Sequence, residues 1–394
     1  MSLSALTPAE ETAAQNRPRV PFLDPFLLLA ALGLCAASAL TLRGAAGSSV
    51  ATHQMIYAGI GLILCLVVSR IDYSRLREFK YGAYALMIAI NLVVYGMPAQ
   101  AGAHRWIPIP LVNFQSSEFG KLLLILALSG FMVDRAREMH ERRTTARIML
   151  LALLGAILVI PQPDLGTGLV YVAIGFAVLF FAGTPFRQLG GLVALFAVAI
   201  TLALVVAPAV GVHVMKCYQV QRITAFLHPN ATHSSCPGNP INPSYQIKQS
   251  LTALGAGRKT GQGLHATQTM EGFLPVNTSD FVFASLGEIY GFVGCAVVLG
   301  LYALLMWRTL RIITISKNLF GSLIGAGILA MLMFQVFVNI GVATGIAPIT
   351  GVPLPLVSYG GSSVITTFIA IGLLQSIYVQ GRGASAAKGR TLLS

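Results

Sequence analysis

The sequence predicts an all-α integral membrane protein of about ten transmembrane helices, with a large extracytoplasmic loop between helices 7 and 8. Three observations carry this. Hydrophobic residues make up 55% of the 394 and charged residues only 10%, where soluble domains carry about a quarter. Water alone cannot solvate a surface so poor in charge, so lipid must cover much of it. The apolar residues gather in segments of spanning length, and the basic residues cluster between them. That clustering accounts for the formal net charge of +13 without a nucleic-acid partner.

A helix crosses about 30 Å of hydrocarbon with roughly 20 mostly apolar residues. In order, such segments occupy 25–42, 51–69, 80–96, 116–134, 147–162, 166–183, 187–208, 281–307, 319–343 and 362–380. The polar stretch 1–24 ahead of them reads as a cytoplasmic tail, and the first segment as an uncleaved anchor. The body of the protein is 25–382, followed by a small, basic cytoplasmic tail, 383–394.

Charge sets the orientation, because Lys and Arg accumulate in cytoplasmic loops. With both termini cytoplasmic, the basic clusters at 70–80, 135–147 and 308–317 all face the cytoplasm. The longest connection, 209–280, then lies outside. Cys35, Cys65 and Cys295 fall within spans, where a thiol is a small apolar group. Cys217 and Cys236 share the outer loop on the oxidising side, where a disulfide between them would contribute about 3 kcal/mol. The alternative is two free thiols.

Ionisable residues at membrane depth are costly and point to function by default. Glu118 and Lys121, three apart, share one face of the fourth span. They form either an internal ion pair or the wall of a polar cavity. Asp164 sits in the break Pro161-Gln162-Pro163-Asp164-Leu165-Gly166 between the short fifth and sixth spans. It either caps the following helix or lines the same cavity. Asp280 lies in Leu274-Pro275-Val276-Asn277-Thr278-Ser279-Asp280-Phe281, where a polar loop enters the eighth span. Low-dielectric surroundings raise a carboxyl pKa toward the range of a general base, and helix capping is the competing role. Glu288 lies about 12 Å deeper along that helix, at 1.5 Å per residue, and is expected to pack against polar partners.

Arg105, Lys216, Arg222, Lys248, Arg258 and Lys259 surround this acid in the outer loops. Their guanidinium and ammonium groups suit a pyrophosphate, or they are simply solvated. Residues 244–254 place Ile247, Leu251 and Leu254 at helical spacing, which fits a short interfacial helix. Gly255, Gly257, Gly261 and Gly263 after it read as a flexible connection. Finally, 349–363 is apolar yet holds Pro353, Pro355, Gly360 and Gly361, so it cannot be a continuous helix. Non-helical backbone at membrane depth must be buried in protein or line a wet cavity. A re-entrant loop follows.

Several motifs in order resemble the SEDS family (shape, elongation, division and sporulation), which includes RodA, FtsW and SpoVE. They are His104-Arg105-Trp106-Ile107, Gln115-Ser116-Ser117-Glu118-Phe119-Gly120-Lys121, Gln162-Pro163-Asp164-Leu165-Gly166-Thr167, Tyr245-Gln246 and Gln249-Ser250. Gly272-Phe273-Leu274-Pro275, Thr278-Ser279-Asp280-Phe281-Val282-Phe283, Pro353-Leu354-Pro355 and Ser358-Tyr359-Gly360-Gly361-Ser362-Ser363 complete the set. Val352-Pro353 is similar to the RodA branch rather than the FtsW division branch. Thr278-Ser279 before the acid, and the stretch between Cys217 and Cys236, depart from the family's usual pattern.

The resemblance implies a peptidoglycan glycosyltransferase that polymerises lipid II at the outer face of the bacterial cytoplasmic membrane, with Asp280 as the catalytic carboxylate that deprotonates the acceptor hydroxyl. Arg105, Trp106, Glu118, Lys121, Asp164, Arg222, Lys248, Arg258, Ser358 and Tyr359 are its candidate substrate-binding residues. It also implies a class B penicillin-binding protein as transpeptidase partner. A divalent cation, Mg²⁺ or Mn²⁺, is implied by family alone, since the sequence has no carboxylate cluster to hold one. Competing readings are a lipid II flippase, built from broken helices and intramembrane charge, an FtsW-type division polymerase, or a non-catalytic scaffold.

Overall fold

All ten apolar segments coincide with helices in the computed structural model, which describes residues 23–97, 106–109, 112–162, 164–202, 217–227, 242–263 and 266–391. They are α1 (Pro25–Ala46), α2 (Ser48–Arg70), α3 (Lys80–Val93), α4 (Ser116–Asp134), α5 (Arg142–Val159), α6 (Leu165–Phe181) and α7 (Phe186–Thr201). After α8 (Cys217–Leu227) and α9 (Pro243–Gly257) come α10 (Val282–Ile315), α11 (Leu319–Ala343) and α12 (Gly361–Thr391). Six of these are long and apolar enough to cross a membrane: α1, α2, α4, α10, α11 and α12. Apolar α6 and α7 are shorter. Phe292, Phe337 and Ile346, each 71% exposed, mark surfaces that lipid rather than water must cover.

The centre of the bundle is α4, α11 and α12, whose residues are mostly buried. Around it α12 lies along α2, α10 along α1 and α11, α6 along α11 and α5, and α3 along α4. Asp24, at the end of the polar stretch 1–24, is fully buried rather than part of a solvated tail. Its Oδ1 accepts from the N–H groups of Phe26 (3.0 Å) and Leu27 (3.2 Å), capping α1, with Pro25 in the first turn where a missing donor costs nothing. Oδ2 accepts from Arg308 Nε (2.9 Å) on α10, and Gln375 of α12 bonds the Asp24 backbone twice. One acid therefore ties three helices together. Beyond α2, Asp72 accepts from the Ser74 N–H at 2.9 Å, which with the Lys317 ammonium holds its carboxyl below the usual range.

Three expectations need correction. The connection before α4 contains an antiparallel hairpin, β1 (Trp106–Ile109) with β2 (Val112–Gln115), pairing Trp106 with Gln115. The eighth span is two helical pieces, because Gly291 (φ 66°) breaks α10 after its first turns.

The glycine-rich stretch after α9 is no flexible tether, since Gly255 and Gly257 are helical and Gly257 and Gly261 press on α10. A Cβ at Gly257 would stand 1.9 Å from the Gly287 carbonyl oxygen, and one at Gly261 would stand 2.1 Å from that of Ile289. That contact leaves room only for hydrogen. Gly257→Ala is expected to destabilise the fold by about 1–3 kcal/mol, as overpacking does. Thermal unfolding in detergent would show it, and an unchanged midpoint would reject the close approach.

Candidate active site

The interfacial helix expected over 244–254 forms as α9, capped by Asn242. It packs against α10 and, with a helical turn at Thr267–Met270, brings the chain back to the bundle. Glu288, fully buried on α10, accepts from the Gln268 N–H (2.9 Å), the Thr269 N–H (2.8 Å) and Thr269 Oγ1 (2.5 Å). The polar packing expected of it is met. That anchor sets the position of the turn leading to Asp280. Asn277 Nδ2 donates to the Thr269 carbonyl (3.0 Å), and Ser285 Oγ donates to that of Asn277 (3.0 Å). Val276 holds a positive φ of 56° there, a costly conformation for a β-branched residue.

The broken segment after α11 runs from 344 to 360 and is largely buried, as its prolines and glycines demanded. Its carbonyls find side-chain donors from four surrounding helices. Ser38 of α1 donates to Val357 (2.7 Å), Gln54 of α2 to Ser358 (3.0 Å), Tyr302 of α10 to Pro355 (2.5 Å) and Asn339 of α11 to Val352 (2.9 Å). Irregular backbone at this depth is stable because those bonds replace the missing helical ones. Asn339 also donates to the Asp280 carbonyl (3.1 Å), and the Tyr359 N–H to that of Thr278 (2.8 Å). The acid-bearing turn and the broken segment are thus one braced unit.

Between them opens a cavity of about 300 Å³. Tyr57, Trp106, Gln115, Arg222, Ser279, Asp280, Gly351, Pro353, Tyr359, Ser362 and Ser363 contribute to its walls. Asp280 is the carboxylate among these residues and Arg222 the cation. Both face Gly351: a Cβ there would lie 3.9 Å from Asp280 Oδ2 and 4.0 Å from Arg222 Nη1. Arg222 stacks over Tyr218, with 5.7 Å from its Cζ to the ring centroid. Phe281 stands at the N-cap of α10, and Ser279 Oγ donates to Asp280 Oδ1 (3.3 Å).

Of the predicted site residues, Trp106, Arg222, Asp280 and Tyr359 meet at this cavity. Glu118 and Lys121 do not reach it; they form a buried ion pair at 2.7 Å, each about 1% exposed. Asp164 lies behind the wall, accepting from the Thr167 N–H (3.1 Å), Ser117 Oγ (3.0 Å) and Gln115 Nε2 (3.1 Å). It caps α6 and grips the cavity-facing Gln115. Ser358 is buried, donating to the Ser279 carbonyl (2.6 Å) and accepting from the Leu354 N–H (2.8 Å). Lys248 and Arg258 are exposed and line no part of it. Arg105, Lys216 and Cys236 lie outside the described residues; Cys217, at the start of α8, is disulfide-bonded. Tyr57 and Gln115 were missed as wall residues. Gln115 stood in a quoted motif, but a lone tyrosine in an apolar span gives no sequence signal.

A divalent cation finds no ready cage in this geometry. Among the described residues no group of three His, Cys, Asp or Glu could hold a metal, and the cavity offers Asp280 beside a cation. The residues present do not fit a protein-held metal site.

Fold and cavity together define a polytopic membrane protein whose polar site opens at one end of its spans, floored by broken helix. The chain belongs to the cell cycle protein family of FtsW, RodA and SpoVE, whose profile matches residues 22–383. Peptidoglycan glycosyltransferase MrdB of Escherichia coli K12 is 36% identical over 363 residues, covering 90% of this chain and 93% of that one. Stage V sporulation protein E of Bacillus subtilis is 33% identical over 333 residues, covering 83% and 86%.

Among solved structures, a chain from a peptidoglycan synthase complex that coordinates polymerization and crosslinking superposes with a TM-score of 0.74 at 31% identity, covering 91% and 98%. The crystal structure of rod shape determining protein RodA from Thermus thermophilus gives 0.63 at 29% identity, covering 92% and 98%. The class of activity is therefore peptidoglycan glycosyl transfer, as the motifs implied, and the comparisons favour this over a transporter.

Proposed function

We propose that this chain polymerises lipid II into glycan strands at the outer face of the cytoplasmic membrane, with Asp280 as general base. The observation that carries this is that the Asp280 carboxylate and the Arg222 guanidinium both approach Gly351 within one cavity. Asp280 takes the proton from the 4-hydroxyl of the acceptor sugar as that oxygen attacks the donor's anomeric carbon. The bond from that carbon to the pyrophosphate oxygen breaks, and the lipid diphosphate leaves as an anion. Arg222, in the wall of the same cavity, is the cation at hand for that developing charge, and a fixed cation there lowers the barrier. Configuration inverts, and a single carboxylate suffices because a diphosphate leaves without being protonated. Trp106 and Tyr359 offer flat faces against which a sugar ring can lie.

The orientation rests on charge. Asp134, at the far end of α4 from the cavity, pairs with Arg77 (2.9 Å) and Lys80 (2.5 Å), in the basic clusters that the cytoplasm retains. A role in elongation rests on Val352-Pro353, where Pro353 borders the cavity. The partner is a class B penicillin-binding protein, a reading supported by the likeness to a chain from a complex that couples polymerization to crosslinking.

Purified protein supplied with lipid II in detergent is expected to produce glycan strands, resolved on a gel, where transport has no meaning. Arg222→Gln should lower the rate by about a hundredfold, the usual loss when one stabilising group is removed. A wild-type chain that forms no strands, with the transpeptidase present or absent, would sink the proposal.

A further inference from the structure

A second cavity lies at the opposite, basic end of the bundle. It holds about 370 Å³ and is lined by Arg142 at the start of α5 and by Arg187, Gln188, Gly191 and Leu192 of α7. Gln188 holds the two helices together there: its Nε2 donates to the His140 carbonyl (2.6 Å), and its Oε1 accepts from Thr145 Oγ1 (2.5 Å). That latch fixes both arginines on one hollow. Neither has a carboxylate partner among the described residues, and the nearby acids Glu138 and Glu141 are exposed and line none of it. Each arginine also sits in the first turn of a helix, the end where the backbone dipole disfavours a cation; Glu141 at the N-cap of α5 makes no capping bond, and α7 begins after Pro185. Both arginines are exposed, so the hollow offers two accessible cations to an anion from outside the chain.

The same hollow adjoins an exposed apolar helix face. Leu189 is the one buried residue of α7, while Phe186, Val193, Leu195 and Val198 are all more than half exposed. A ligand here meets two guanidinium groups at its head and an apolar helix face along its tail. Arg presents a planar fork of donors that matches phosphate oxygens.

We propose that this hollow binds the phosphodiester headgroup of an anionic phospholipid, clamped between Arg142 and Arg187, with the acyl chains along α7. The lipid then fills the space that protein leaves between α5 and α7, and this site is separate from the Asp280 cavity.

The test uses the full chain in detergent, with dioleoyl phosphatidylglycerol as the probe. Phosphatidylcholine serves as the zwitterionic control and inorganic phosphate as the free-anion control, with retention read by native mass spectrometry. Wild type is expected to retain phosphatidylglycerol and to release phosphatidylcholine. Arg142→Gln with Arg187→Gln should weaken retention by about tenfold or more, the worth of a charged hydrogen bond. Gly191→Leu keeps both charges but fills the hollow, where a Cβ now meets nothing within 4 Å. It should weaken retention as well. Arg75→Gln with Arg311→Gln removes as much charge away from the hollow and should change nothing.

Equal retention by the hollow variants and wild type overturns the proposal, as does equal loss in the remote pair. Equal binding of phosphatidylcholine overturns it too, and displacement by inorganic phosphate at matched concentration makes the site one for free anions.

Discussion

Asp280→Asn is expected to slow lipid II polymerisation by a factor of about 10² to 10⁴, the contribution of a positioned general base. The substitution suits the purpose because it removes the negative proton acceptor while an amide oxygen can still accept the Ser279 Oγ bond. An asparagine has the same shape, and the backbone bonds that brace the turn, from Asn339 to the Asp280 carbonyl and from Tyr359 to that of Thr278, do not involve the side chain. Thermal unfolding should therefore stay near wild type while strand formation collapses. Binding of the proposed transpeptidase partner should persist. If Asp280→Asn instead polymerised at the wild-type rate, the base would have to be another group. No other carboxylate among the described residues lines the cavity.

Lys121→Met is expected to be the most destabilising single change, by about 3–5 kcal/mol, because it strands a buried charge. Glu118 and Lys121 sit 2.7 Å apart with almost no exposure, so each neutralises the other where water cannot. Removing the ammonium leaves the Glu118 carboxylate to pay for its own desolvation. The double change Glu118→Gln with Lys121→Met should recover most of the loss, since a buried pair replaced by neutral groups is often no worse than the pair. Unfolding midpoints of the two single variants and the double form a cycle that isolates the coupling. A single variant with an unchanged midpoint but no activity would move the pair from scaffold to chemistry.

These contrasting expectations show why some parts of the site were legible and others were not. Asp280 was legible because a carboxylate at the head of an apolar span has few excuses, and because its motif matched a family. The re-entrant segment was legible because prolines and glycines in an apolar run contradict a helix. Glu118, Lys121 and Asp164 were equally conspicuous as charges, yet spacing could not say whether they faced a cavity or one another. Only the rotation of α4 and α6 about their axes turned the first two into a sealed pair and Asp164 into the support for Gln115. Tyr57 carried no signal, because one aromatic in an apolar span looks like any other until α2 packs on α12.

By itself, then, the sequence determined that the chain spans a membrane many times, where its helices lie, and which acid stands at a boundary. Those follow from local composition, since a segment's transfer to lipid depends on its own residues. The tertiary structure decided which polar groups share a space. It broke α10 at Gly291, pressed the glycines after α9 against that helix, and brought Arg222 and Asp280 to one cavity beside Gly351. Such pairings depend on contacts between segments far apart in the chain, where packing rather than hydropathy selects the neighbour.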